Sequence, residues 1–368
     1  MSPITIVMLV FSLLGALDLI IGNKFGLGEQ FERGIMLLGT MTMSMVGMLV
    51  LAPLIAELIR PAIEGVCGII PIEPSVIPSM ILANDMGGAP LAMEFATNEN
   101  VGYYNGLVVS SMVGVTISFT LPFAMGIVKK EQHDSLMLGL LCGIVTTPIG
   151  CLVSGLVCAL PIKDLLASII PLFLFVAIIA VALFLFPNVS LRVFKVFGVV
   201  VKTIVILGLM IGIFETLTGI DLVPYTAPMS EGFDICISAA LVLSGAFPLM
   251  YILSKLLDKP MRKIGEKVGI NTASTLGLLS TLVTCAASFG NMQDMDEKGA
   301  LLNSAFSVSA SFVFGGHLAF TMSFNADYVF SMIIGKLVAG ITSIFVALLF
   351  YKTLNKKKTR VVISPIEE

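Results

Sequence analysis

The stretch Ser75-Val76-Ile77-Pro78-Ser79-Met80-Ile81-Leu82-Ala83-Asn84-Asp85-Met86-Gly87-Gly88-Ala89-Pro90-Leu91 is apolar enough to enter a bilayer, yet prolines, glycines, an amide and a carboxylate interrupt it. Such residues free backbone N–H and C=O groups that hydrocarbon cannot satisfy. Broken backbone survives at membrane depth only where it is buried in protein or lines a wet cavity. The spacing predicts a broken hairpin over about 75–96, unwound at Asp85. A second interrupted stretch, about 272–292, carries Thr284-Cys285-Ala286-Ala287-Ser288-Phe289-Gly290-Asn291 near its centre.

Composition agrees with a membrane setting. The 368 residues are 57% hydrophobic and 12% charged, with mean hydropathy +1.02, against about 45–50% and 25% in soluble domains. A net charge of -3 gives no sign of a nucleic-acid partner. Six cysteines lie in or beside apolar runs without zinc-type spacing and read as packing residues. Met1-Ser2-Pro3-Ile4 leads into an apolar run without a basic segment, which reads as a retained first helix.

Nine runs are long enough to span: about 4–21, 34–59, 103–128, 136–160, 164–186, 196–218, 232–254, 301–323 and 327–350. Cytoplasmic loops collect Lys and Arg. If both interrupted stretches are re-entrant and the C-terminus is inside, 17 basic residues fall inside and 2 outside; if both cross, the count is 9 to 10. Re-entrant hairpins are therefore expected, with the N-terminus outside.

That topology makes the halves inverted. Asp18 and Glu215 each lie in a G-x-x-acid-x-x-x-G pattern, 197 residues apart. Asn105 and Asn303 precede matching apolar helices, and the interrupted stretches correspond at an offset near 199. The expected organisation is a first repeat at 1–160, a linker helix at 161–190, an inverted second repeat at 191–351 and a cytoplasmic tail at 352–368. Inverted repeats with broken helices belong to secondary transporters, whose sites lie where the breaks meet. The fold class expected is an all-α polytopic membrane protein.

Asp85 is the strongest site residue, because a carboxylate at a glycine-broken point can pair with a cation, though capping the hairpin is the plainer role. Asn84, Gly87 and Gly88 accompany it. The second stretch offers Ser288, Phe289 and Asn291; an acid facing an aromatic would suit a small organic cation. For Asn105 and Asn303, capping competes evenly with substrate contact. His317 could be a proton-linked switch or a hydrogen-bonded packing residue. Asp18 and Glu215 divide between coupling and structure. Thr146 and Thr147 precede Pro148 and read as a kink whose freed carbonyl the hydroxyls satisfy, with gating as the functional option. Among the enzyme signatures, zinc, nucleophile-elbow and phosphate-loop motifs are missing, so no enzyme, cofactor or metal is expected.

Gln30-Phe31-Glu32-Arg33-Gly34, Leu82-Ala83-Asn84-Asp85-Met86-Gly87-Gly88, Gly143-Ile144-Val145-Thr146-Thr147-Pro148-Ile149-Gly150-Cys151, and Phe306-Ser307-Val308-Ser309-Ala310-Ser311-Phe312 through Gly315-Gly316-His317-Leu318 occur in order over about 29–350. In these the chain resembles the ethanolamine permease family of the bacterial ethanolamine-utilisation system. It departs where Asn84 stands for a frequent Cys and Gly316 for a frequent Asp. The resemblance implies a multi-pass protein of the bacterial cytoplasmic membrane that takes up ethanolamine, by facilitated diffusion on the first reading. The alternatives are a Na⁺- or H⁺-coupled symporter of another small amine or amino acid, and an intramembrane enzyme or sensor. The expected partners are a small amine and the lipid bilayer; a homo-oligomer stays open.

Overall fold

The structure, a computed structural model, describes residues 3–70 and 72–363; the end of the expected tail, 364–368, lies outside them. All secondary structure among the described residues is helical. Helix α1 (Pro3–Ile20) is followed by α2 (Leu27–Met41), which continues through a π turn at Thr42–Val46 into α3 (Gly47–Ile69). The first interrupted stretch gives α4 (Val76–Ile81) and α5 (Gly88–Phe95). Next comes one rod from Glu99 to Ile127, made of α6 (Glu99–Tyr103), π-helical stretches at Tyr104–Gly114 and Thr116–Thr120, and α7 (Leu121–Ile127). Helices α8 (His133–Val157), α9 (Ile162–Leu185), α10 (Pro187–Thr218) and α11 (Met229–Val268) follow. The second interrupted stretch gives α12 (Thr272–Thr281) and α13 (Cys285–Gly290), before α14 (Glu297–Ala310), α15 (Gly316–Asn325) and α16 (Val329–Ile363).

Among the described residues, eight helices are long and apolar enough to cross a membrane. The run expected at 301–323 is not one continuous helix. It is jointed at Ser311–Gly315, where Phe312 takes a left-handed φ of 62°. The joint holds because its backbone N–H groups have partners. Phe312 N–H donates to the Thr281 carbonyl at 3.3 Å and Phe314 N–H to the Leu282 carbonyl at 2.9 Å. Those carbonyls are freed by the end of α12, so two broken segments satisfy each other's backbone.

Both hairpins close on themselves. Glu73, 4% exposed, accepts from Ser75 Oγ at 3.0 Å, Thr97 N at 3.1 Å and Thr97 Oγ1 at 2.6 Å. One carboxylate thus clasps the entry of α4 to the exit of α5. In the second hairpin the acid stands on the other end: Asp296 accepts from Asn271 N at 2.8 Å and Ser274 Oγ at 2.7 Å. Each hairpin therefore returns to where it began. Asn105 and Asn303 pin the hairpin entries. Asn105 donates to Ser75 Oγ at 2.8 Å, and Asn303 donates to the Ser274 carbonyl at 2.8 Å.

The elements pack reciprocally. Helix α1 lies on α11 while α10 lies on α3, and α8 sits between α14 and α16. Contact between α2 and α11 is close because Gly34 has no side chain: a Cβ there would stand 2.6 Å from the Leu243 carbonyl. Small residues at such crossings supply the packing that lipid, as apolar as leucine, does not drive. Outward faces of α1, α9 and α10 carry large apolar residues such as Leu17, Ile170 and Val199, each more than half exposed. These are surfaces for hydrocarbon. Within α8, Pro148 lacks the N–H that would serve the Ile144 carbonyl, and Thr147 Oγ1 donates to it at 2.7 Å. Thr146 Oγ1 ties α8 to α16 through the Ala339 carbonyl at 3.2 Å.

Candidate functional site

At the tip of the first hairpin Leu82 and Ala83 are extended, Asn84–Met86 form one 3₁₀ turn, and Gly87 adopts φ 107° before α5 starts. The left-handed φ is one that glycine takes at little steric cost. The turn is fixed by Ala83, whose N–H donates to Ser118 Oγ at 3.0 Å and whose carbonyl accepts from Gly88 N at 2.8 Å. Asp85 is thereby held at the wall of a cavity of about 280 Å³. Val283 and Thr284 from the break between α12 and α13 also line it, with Phe312 from the joint between α14 and α15 and His317 from the first turn of α15. Phe119, on the π-helical rod, and Phe247, on α11, complete it.

The cavity offers one carboxylate among three phenyl rings. Phe119 and Phe312 meet edge-on at 5.9 Å between centroids, and His317 lies 5.0 Å from Phe312. Such rings present negative faces to a cation, and the carboxylate supplies its counter-charge. Arg33, Phe247, Val283 and Thr284 also line a wider vestibule of about 530 Å³. Arg33 lies over the Phe247 ring, 5.3 Å from its centroid, at the junction of the two spaces. Gln30, Lys255 and Asp258 line the vestibule farther out.

His317 faces the cavity on one side and the protein interior on the other. Its Nδ1 lies 3.1 Å from the Nζ of Lys336 on α16, which also donates to the Ser111 carbonyl at 2.5 Å. Lys336 is fully buried. It lies in the run expected to span at 327–350, from which the sequence offers no site candidate.

The remaining candidates lie elsewhere. Phe289 is buried in the apolar core and Asn291 is exposed at the end of α13; neither lines the cavity. The aromatics facing Asp85 are instead Phe119, Phe247 and Phe312. Phe119 and Phe247 sit on helices and Phe312 at the joint, all distant in sequence from Asp85, where a phenylalanine looks like any packing residue. Asn105 and Asn303 are hairpin pins and line no part of it. Asn84 is buried behind the wall, its amide without a protein partner. Asp18 and Glu215 occupy equivalent places at the ends of α1 and α10, where each organises the following loop. Asp18 accepts from the N–H groups of Phe25, Leu27 and Gly28 at 2.8–3.0 Å. Glu215 accepts from Leu222 N at 3.0 Å, Val223 N at 3.3 Å and Thr226 Oγ1 at 3.0 Å.

Residues 2–350 match the family described as "Ethanolamine utilisation protein, EutH". The chain belongs to the EutH family. It is 42% identical over 350 residues to the "Probable ethanolamine permease EutH" of Listeria monocytogenes, covering 95% of this chain and 94% of the relative. It is 34% identical to "Uncharacterized protein YxeR" of Bacillus subtilis, over 93% and 92% of the two chains. The "Probable ethanolamine permease EutH" of Escherichia coli is 33% identical, with 93% of each chain covered. No solved structure matches the chain. With eight helices able to span, this EutH-family chain is a multi-pass protein of the bacterial plasma membrane.

Proposed function

We propose that this chain is a permease, not an enzyme, and that it carries protonated ethanolamine into the cell down the substrate's own gradient. The observation that carries this is Asp85, held at a glycine-broken hairpin tip amid Phe119, Phe247 and Phe312. Ethanolamine at neutral pH is a small ammonium ion with one hydroxyl. The carboxylate and rings suit its charged end, and Thr284 or Ser44 on the same wall can bond the hydroxyl. The names of the Listeria and Escherichia relatives, each a probable ethanolamine permease, support the same substrate. The direct test is uptake of radiolabelled ethanolamine into proteoliposomes, with sodium, proton and electrical gradients imposed one at a time. Uptake no faster than in protein-free vesicles under every gradient would sink it.

The transport architecture in this reading is an inverted repeat with nine passes, the jointed α14–α15 counting as one, and two re-entrant hairpins. Four correspondences support it: the clasped hairpins, the asparagine pins, the loop-organising acids and the reciprocal packing of α1 on α11 and α10 on α3. The vestibule, with Arg33 and Lys255 at its wall, then opens to the cytoplasm. Single cysteines placed at 60–74 and at 97–102 are expected to react alike with an impermeant thiol reagent applied from outside. Labelling of one segment and not the other would remove the re-entrant hairpin and the inversion with it.

A further inference from the structure

Lys336 is a fully buried cation that forms no ion pair with a carboxylate among the described residues. Its Nζ is held by the Ser111 carbonyl and by His317 Nδ1 at 3.1 Å. His317 is itself a cavity-lining residue beside Asp85. The imidazole therefore bridges the buried ammonium and the space that the substrate ammonium enters. The titratable groups that bear on Lys336 are Asp85 at the hairpin tip, Cys151 on α8, Cys285 on α13 and His317 on α15. Of these Asp85 is the carboxylate. Arg33 stands at the junction of this cavity with the vestibule, so a further cation brought to Asp85 adds to a positive charge that a poorly solvated interior disfavours.

We propose that the entering amine is exchanged for a proton: Lys336, relayed by His317, gives one up when the substrate ammonium pairs with Asp85. This rests on the permease reading above and goes beyond it. In the step, a Lys336 Nζ–H bond breaks and its proton passes to His317 Nδ1. The imidazole releases its Nε2 proton to water in the cavity, and the water carries it to bulk. Lys336 is left neutral, the histidine is neutral with its proton on the other nitrogen, and the site holds one ammonium and one carboxylate as before. After the substrate leaves, a proton returns by the reverse route. Ethanolammonium entering against one proton moves no net charge. Its driving force equals the gradient of the neutral base, so at equal pH on the two sides the exchange still runs down the substrate's concentration gradient, and it parts from uniport of the cation when a potential or a pH difference is imposed.

The test is radiolabelled ethanolamine uptake in proteoliposomes with a valinomycin-set potential, inside negative, corrected for protein-free vesicles. A tenfold potassium gradient would raise accumulation of a uniported monovalent cation about tenfold. Wild type is expected to change by less than about twofold, and to speed up when the interior is made acid. Lys336→Met is expected to become potential-driven. His317→Gln, the second variant should Lys336→Met fail to fold, is expected to do the same and to lose its response to internal acid. Wild-type uptake that tracks the potential overturns the exchange. Insensitivity of wild type and both variants alike overturns the role of this pair. No protein-dependent uptake by wild type under any gradient would overturn the permease reading instead.

Discussion

Asp85→Asn is expected to weaken ethanolamine binding by roughly 30-fold or more, while the protein still folds and inserts. The substitution nearly preserves shape, and the hairpin tip does not depend on this carboxylate, since backbone groups and Ser118 hold the turn. What it removes is the counter-charge in a cavity otherwise walled largely by phenyl rings and aliphatic groups. Truncating one partner of a desolvated charge pair costs about 2–5 kcal/mol, and each 1.4 kcal/mol or so is a decade in affinity. Calorimetric titration of purified wild type and variant decides it. Asp18→Asn and Glu215→Gln are the controls. Their carboxylates bond loop backbone outside the cavity, so affinity should stay within about threefold of wild type while the loops lose stability. If Asp85→Asn binds as well as those controls, the carboxylate is a cap and the rings alone make the site.

Glu73→Ala is expected to lower stability by about 3–5 kcal/mol and to abolish uptake. The Glu73 carboxylate is buried and accepts three hydrogen bonds, two of them from Thr97 across the hairpin. Hydrogen bonds to a charged group contribute about 1.5–3 kcal/mol each, and their donors would lose partners in a poorly solvated place. Freed of its clasp, the hairpin can slide, and Asp85 at its tip leaves the wall. Asp296→Ala removes the corresponding clasp at a more exposed position and should cost less. Thermal unfolding in detergent, read with uptake in lipid, separates the two consequences. A melting profile identical to wild type would show that packing of α4 and α5 holds the hairpin unaided.

The hairpins are legible because Pro78, Gly87, Gly88 and Asp85 cannot continue an apolar helix without a reason. The same logic exposes Asp85, an acid where there is little other charge. It does not reach the joint at Ser311–Gly315, since Ser-Phe-Val-Phe-Gly passes for an uninterrupted apolar run and its backbone partners sit thirty residues upstream. Nor does it reach Phe119, Phe247 and Phe312. An aromatic acquires meaning in a site only from what the fold brings opposite it. Periodicity assigns such a ring to packing, whereas Phe289, expected as the aromatic opposite Asp85, lies in the apolar core. Asn105 and Asn303 illustrate the converse: polar residues that look poised for a ligand are consumed by the hairpin entries.

The two long segments beside the cavity differ in mechanical compliance. Residues 99–127 form a rod that is widened by π turns but never severed, whereas 297–325 is two levers meeting at a hinge. The hinge carries Phe312 and leads into His317, and Phe312 and Phe314 latch its backbone to the end of α12. Load applied to both sides of the cavity would therefore be absorbed unequally, the continuous rod resisting it and the jointed pair yielding at Ser311–Gly315. Bending there would swing a ring and an imidazole away from Asp85 together, so opening the cavity and loosening the grip on a cation become a single displacement.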